Sequence, residues 1–351
     1  MKQKALQSVQ YIVLLALGIT LSWLFFRTLD LNEMRATIST GNFSWFYMVM
    51  LVSVMVYIFR TLRWQMLIRA VGYEASFANA FSALSISYFV NFAVPRLGEV
   101  TRCLSLKKQH NIPFMQLLGT VIIERVVDVV SLLLVLLLTL LLQFSVIIEF
   151  VKENVVTPFY EGVILKIQNG NQTILIGAIT VMGLAALLFF YFRRYIRERS
   201  PRLVLQFVQG LKDGLTSIGK LERKGLFIGY TALIWICYFL MTYFWFFVFK
   251  ETSVLGWGAC LTILSIGSIG RSVPIQGGGM GAYHFLVQQV CLLYGLGGLM
   301  GKTLATLIHA GQTFFTFAMG LVGLIIFFVG YWRKKEVVIS KHTPNPSQEG
   351  N

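Results

Sequence analysis

Residues equipped for chemistry fall in three short stretches of this sequence. The first is Arg271-Ser272-Val273-Pro274-Ile275-Gln276-Gly277-Gly278-Gly279-Met280-Gly281-Ala282-Tyr283-His284, set in sequence that is otherwise almost all hydrocarbon. The second is Pro95-Arg96-Leu97-Gly98-Glu99-Val100-Thr101-Arg102, and the third is Glu124-Arg125-Val126-Val127-Asp128. A proline followed by four glycines cannot continue a helix, and a backbone without internal hydrogen bonds is costly in hydrocarbon, so the break must be wrapped by protein or water. Arg271 and His284 flank it, and the helix restarting after Gly281 turns its unpaired N–H groups back toward it, which describes an anion site. Arg96 or Arg271 would be the phosphate ligand, because a guanidinium fork suits phosphate oxygens, with Gly278, Gly279 and Gly281 alongside. Glu124 and Asp128 are four apart and share a helix face; together with Glu99 they would hold the arginines or select a cation.

The charges of this set do not cancel. Glu99, Glu124 and Asp128 face Arg96, Arg102, Arg125 and Arg271, an excess of one positive charge before His284 is considered. A charge at the centre of a membrane costs about 2.5–3.5 kcal/mol on insertion scales, so such groups persist only when paired or around a wet cavity. Purely structural ion pairs and close helix packing by the glycines are the competing readings. His284 alone reads as a hydrogen-bonded core histidine, and His309, within a long apolar helix, gives a weaker signal still.

Composition determines the setting. Of 351 residues 56% are hydrophobic and only 13% charged, and the mean hydropathy is +0.71, which marks an integral membrane protein. The apolar runs are continuous rather than alternating, so the fold class is all-α and not a barrel. The formal charge of +15 does not point to nucleic acid, because Lys and Arg gather at membrane flanks. Cys103, Cys237, Cys260 and Cys291 are scattered singly, so neither a disulfide framework nor a metal site is expected. No nucleotide-binding motif is present, and no cofactor is expected.

In chain order, an apolar run from about Tyr11 to Phe26 reads as a retained first span, followed by a short polar loop with Arg27, Asp30, Glu33 and Arg35. A second span runs from about Trp45 to Ile68, its cytoplasmic end marked by Arg60, Arg63 and Arg69. Phe77 to Val94 stops at Pro95, and the restarted helix to about Leu106 is too short to cross, so the pair reads as a re-entrant hairpin. A long helix from about Phe114 to Phe144 leads to an outer loop from about Ser145 to Gln172. The second half repeats the order: spans at about Thr173 to Phe192 and Leu226 to Phe249, Leu255 to Val273 broken at Pro274, a helix to about Leu296, and a last span from Thr303 to Val329. An odd number of crossings per half turns the second copy upside down.

The expected architecture is therefore about six full spans plus two re-entrant helical hairpins in inverted repeat. They form a single membrane domain over 1–335, with halves at about 6–144 and 173–331, and 336–351 is a disordered cytoplasmic tail. Segments read as outer loops carry few basic residues, namely Arg27, Arg35, Lys152, Lys166, Lys250 and Lys302, which places both termini in the cytoplasm.

The order and spacing of P-R-L-G-E-V-T-R, E-R-V-V-D and P-I-Q-G-G-G-M-G resemble the flippase-like membrane domain of the lysylphosphatidylglycerol synthase family, also known as multiple peptide resistance factors, over about Leu6 to Tyr331. The resemblance implies a bacterial cytoplasmic-membrane protein that moves an anionic or zwitterionic phosphate-bearing amphiphile between leaflets, such as an aminoacylated phospholipid or a polyprenyl-phosphate-linked lipid. No aminoacyl-transferase domain follows the last span, so a separate lipid-modifying enzyme is the expected partner. The family often has Glu where this chain has His284, a position bearing on head-group preference. Two other classes remain open: a membrane-embedded glycosyl or lipid-modifying transferase using Asp30 and Glu33 or Glu124 and Asp128, and an ion-coupled solute transporter using Asp128 and His284.

Overall fold

The computed structural model describes residues 30–157, 160, 219, 221–273 and 275–342, with scattered positions between 16 and 27. Among the described residues every regular element is helical. The chain divides into two units, one comprising Met1–Arg125 with Gly219–Asn351 and the other Val126–Ile218.

The first unit opens with α1, Leu31–Ser39, in a stretch whose polarity suggests a loop. Asp30 makes it a helix: its Oδ1 accepts from the N–H groups of Asn32 at 2.8 Å and Glu33 at 3.2 Å, and Glu33 places negative charge in the first turn. Helix α2, Ser44–Ala70, is the first described membrane-length element. Helix α3, Phe77–Ala93, starts on Ser76, whose hydroxyl accepts from the Asn79 N–H, and ends just before Pro95. Helix α4, Leu97–His110, follows after a turn in which Arg96 takes φ 70°, a left-handed conformation uncommon for a residue with a Cβ. Helix α5, Phe114–Leu142, belongs to this unit as far as Arg125.

The second unit holds the remainder of α5, then α6, Phe144–Val151, and a π-helical turn at Lys152–Val156. Helix thus occupies the beginning of the stretch expected to be a loop, because Ile147, Ile148 and Val151 extend an apolar helical pattern past Ser145.

Back in the first unit, α7 spans Lys224–Phe246, α8 Trp257–Ser272, α9 Ala282–Leu293 and α10 Gly298–His342. Helix α10 runs into the stretch expected to be a disordered tail. Among the described residues four helices are long and apolar enough to cross a membrane: Ser44–Ala70, Phe114–Leu142, Lys224–Phe246 and Gly298–Gly330. The expected span at 173–192 and most of the one at 11–26 lie outside the described residues, as does Pro274.

The packing brings the two halves together. Helix α2 lies along α7, α3 lies along α10, and α9 packs against both α8 and α10. A common core forms from Val56 of α2, Trp245 and Phe246 of α7, Ile263 of α8, Tyr283 of α9 and Ile308 of α10. Small residues set the approach of α3 and α10. A Cβ at Gly320 would stand 2.6 Å from that of Phe89, and the Ser82 hydroxyl donates to the Gly323 carbonyl at 2.8 Å. Leu133, Leu134, Leu137 and Leu141 of α5 are exposed, as suits a lipid-facing helix.

Candidate functional site

The two chain breaks end at the same place. A cavity of about 520 Å³ is lined by Asn91, Pro95 and Arg96 at the first break and by Arg271, Ile275 and Gly278 at the second. Tyr57 from α2, Arg125 from α5, Tyr238 from α7, and Gln312 and Phe315 from α10 complete most of its wall. Three guanidinium groups therefore meet in one space, and among the described residues no Asp or Glu lines it.

Each arginine is held differently. Arg271 donates to the Gln312 side-chain oxygen and lies 4.7 Å over the Tyr283 ring, so two neutral groups orient it without cancelling its charge. Arg125 donates to Glu99 at 2.9 Å, and Glu99 also accepts from the Asn91 amide at 3.3 Å. Arg96 is exposed and makes no hydrogen bond or ion pair among the described residues. Its left-handed backbone is a small strain that fixes where the side chain leaves the turn.

A second cluster is almost wholly enclosed. Glu124 is 0% exposed, accepts from Arg102 at 2.8 Å and from Arg60 at 3.1 Å, and forms an ion pair with Arg63 at 3.5 Å. One carboxylate is shared by three guanidinium groups, and neighbouring π faces and hydroxyls also meet them. Arg102 lies 3.6 Å over the Trp64 ring, Arg60 donates to the Tyr238 hydroxyl at 2.9 Å, and Arg63 reaches the Thr231 hydroxyl at 3.4 Å.

This corrects one reading of the sequence. Arg60 and Arg63 are not loop-flanking charges; they are 6% and 0% exposed and bind Glu124. The signal was available in their position. They lie inside α2, a turn apart on one face, well before its end at Ala70.

The glycine loop is supported by two histidines. The Gly281 N–H donates to His284 Nδ1 at 3.3 Å, so this ring nitrogen is an acceptor, and the ring caps the start of α9. The His309 ring of α10 lies 4.6 Å from that of His284, tilted by 48°, and reaches the backbone of Gly277 and Gly278. Both rings are buried, at 3% and 8% exposure, behind the loop. Gly279 takes φ +80°, and a Cβ there would stand 2.5 Å from the Gly270 carbonyl oxygen.

Residues 11–320 match the family described as Lysylphosphatidylglycerol synthase TM region. The chain belongs to that family. The lysylphosphatidylglycerol synthase TM region extends over both breaks, the Glu124 cluster and the histidine pair. A relative from Methanocaldococcus jannaschii, a UPF0104 membrane protein, is 27% identical over 103 residues, 28% of this chain. That match covers only 31% of the relative. No solved structure matches the chain.

Within this lysylphosphatidylglycerol synthase TM region, the expected site residues separate into three groups. Arg96, Arg125, Arg271 and Gly278 line the cavity. Glu99 stands behind Arg125, while Gly279, Gly281 and His284 shape the loop. Arg102 and Glu124 form the enclosed cluster. Asp128 is half-buried one turn beyond Glu124 and falls in the second unit. Asp30, considered as a transferase residue, is an exposed helix cap. Among the described residues no group of His, Cys, Asp and Glu could hold a metal.

Proposed function

We propose that this domain is a lipid translocase, moving a phosphate-bearing amphiphile between the leaflets while its acyl chains stay in the bilayer. The observation that carries this reading is the convergence of Arg96, Arg125 and Arg271, from separate stretches of both halves, on one cavity. A phosphate cannot enter hydrocarbon unaccompanied, and guanidinium groups fixed in a sheltered space replace the water it loses.

Helix lengths support the route. Helices α3 and α4 have 17 and 14 residues, and α8 and α9 have 16 and 12. At about 1.5 Å per residue none of the four spans about 30 Å of hydrocarbon, as expected of two re-entrant hairpins entering from opposite faces. With both termini in the cytoplasm, hairpins of this kind open alternately around a midplane site. Movement is downhill or coupled to a gradient or partner.

The test is transbilayer movement of a fluorescent phospholipid in proteoliposomes. Arg96→Ala and Arg271→Ala are each expected to slow it at least about tenfold, the loss of one charge-assisted contact. Unchanged movement in both variants would remove the phosphate site from the mechanism.

A further inference from the structure

The charge within the cavity specifies more than the presence of a phosphate. Of its three guanidinium groups, that of Arg125 is already balanced by Glu99 at 2.9 Å. Arg271 is held by an amide oxygen and a ring face, and Arg96 has no partner among the described residues. Two positive charges therefore face the space with no counter-charge among the described residues. The wall offers a further donor: Tyr88 lines the cavity, and its hydroxyl is buried without a hydrogen-bond partner among the described residues. A hydroxyl in that position is satisfied by an acceptor oxygen on whatever fills the space.

Resting on the translocase reading, we propose that the cavity takes a dianionic head group, a lipid phosphomonoester or diphosphate ester, in preference to a singly charged, zwitterionic or aminoacylated phosphodiester. A terminal phosphate presents three oxygens and close to two charges, enough for two guanidinium groups and a hydroxyl at once. A phosphodiester presents two free oxygens and one charge, leaving one arginine desolvated and unmatched. An ammonium-bearing head group fares worse, because among the described residues no carboxylate lines the wall to receive it and like charges repel across a sheltered space.

Purified protein is titrated with four lipids at mildly alkaline pH, and bound lipid is read by native mass spectrometry. The probes are phosphatidic acid, phosphatidylglycerol, phosphatidylethanolamine and lysyl-phosphatidylglycerol, with inorganic phosphate and diphosphate as soluble competitors. Phosphatidic acid is expected to bind about tenfold or more tightly than the others, a preference that Arg96→Gln and Arg271→Lys each reduce severalfold. Equal binding of phosphatidic acid and phosphatidylglycerol, or tighter binding of the aminoacylated lipid, overturns the inference. So does displacement by inorganic phosphate or diphosphate as strong as by lipid, which would mark a site for free anions. Selective binding of phosphatidic acid without transbilayer movement in proteoliposomes upholds the head-group inference and removes the translocase reading. Movement of all four lipids at one rate does the reverse.

Discussion

The Arg102 guanidinium lies 3.6 Å from the centre of the Trp64 ring, and both side chains are fully enclosed. Trp64 in turn donates its indole N–H to the Thr120 hydroxyl at 3.0 Å, which ties α2 to α5 next to Glu124. The ring thus carries part of the load that a second carboxylate would carry elsewhere, because its negative face meets a cation that Glu124 must share with two others.

Replacing this ring is expected to be costly. Trp64→Leu loses the cation–π contact, the hydrogen bond and much of the buried volume, about 3 kcal/mol in all. Thermal unfolding in detergent, read by intrinsic fluorescence or light scattering, checks it. An unchanged melting temperature would show that the ring merely fills space.

Glu124 is expected to matter more. Glu124→Gln removes the carboxylate that Arg60, Arg63 and Arg102 share, and breaking such a cluster costs about 3–5 kcal/mol. Poor yield, or a much lower melting temperature than Trp64→Leu, is the expected result. A variant that folds at wild-type stability but no longer moves lipid would instead place Glu124 in the transport path.

The sequence made much of this legible, for a reason visible in particular residues. Pro95 and the run from Gly277 to Gly281 interrupt apolar helices, and nothing but a protein-lined interior tolerates such interruptions, so the meeting of the two breaks followed from their chemistry. Helix ends also came close, since α2, α3 and α5 end at changes in polarity. What stayed hidden was pairing. Arg60 and Glu124 are sixty-four positions apart, and although the place of Arg60 inside α2 marks it as buried, nothing in the sequence names the carboxylate it meets. The α1 helix was missed because its stability rests on the Asp30 cap and not on an apolar face: none of its residues is buried.

Glu99 offers a test with the opposite sign. Its carboxylate pairs with Arg125, so Glu99→Gln should raise the positive charge around the cavity by removing one negative charge beside it. Glu99 and Arg125 are only partly buried, at 22% and 38% side-chain exposure, so the structural cost should stay within about 1 kcal/mol. Anionic lipid should then bind a few-fold more tightly, with a steeper dependence on ionic strength. Weaker binding in this variant would mean that Glu99 holds Arg125 in place for the ligand instead of neutralising it.

The glycine loop can be separated from the charges it accompanies by comparing two alanine substitutions. Gly72 and Gly279 both adopt positive φ, at +85° and +80°, so alanine at either meets the left-handed backbone penalty of about 1–2 kcal/mol. Only Gly279 has a neighbour in the way: its Cβ would stand 2.5 Å from the Gly270 carbonyl oxygen and 2.9 Å from the Arg271 Cα, both backbone atoms that cannot swing aside. Around Gly72 nothing lies within 4 Å. Gly279→Ala must therefore push the loop away from the end of α8, carrying Gly278 and Arg271 out of register with Arg96, whereas Gly72→Ala should leave the cavity untouched. Melting temperature and phosphatidic acid binding are measured on both, and Gly279→Ala should lose binding well beyond its loss of stability. Equal behaviour of the two variants would show that the loop does not set the position of the arginines.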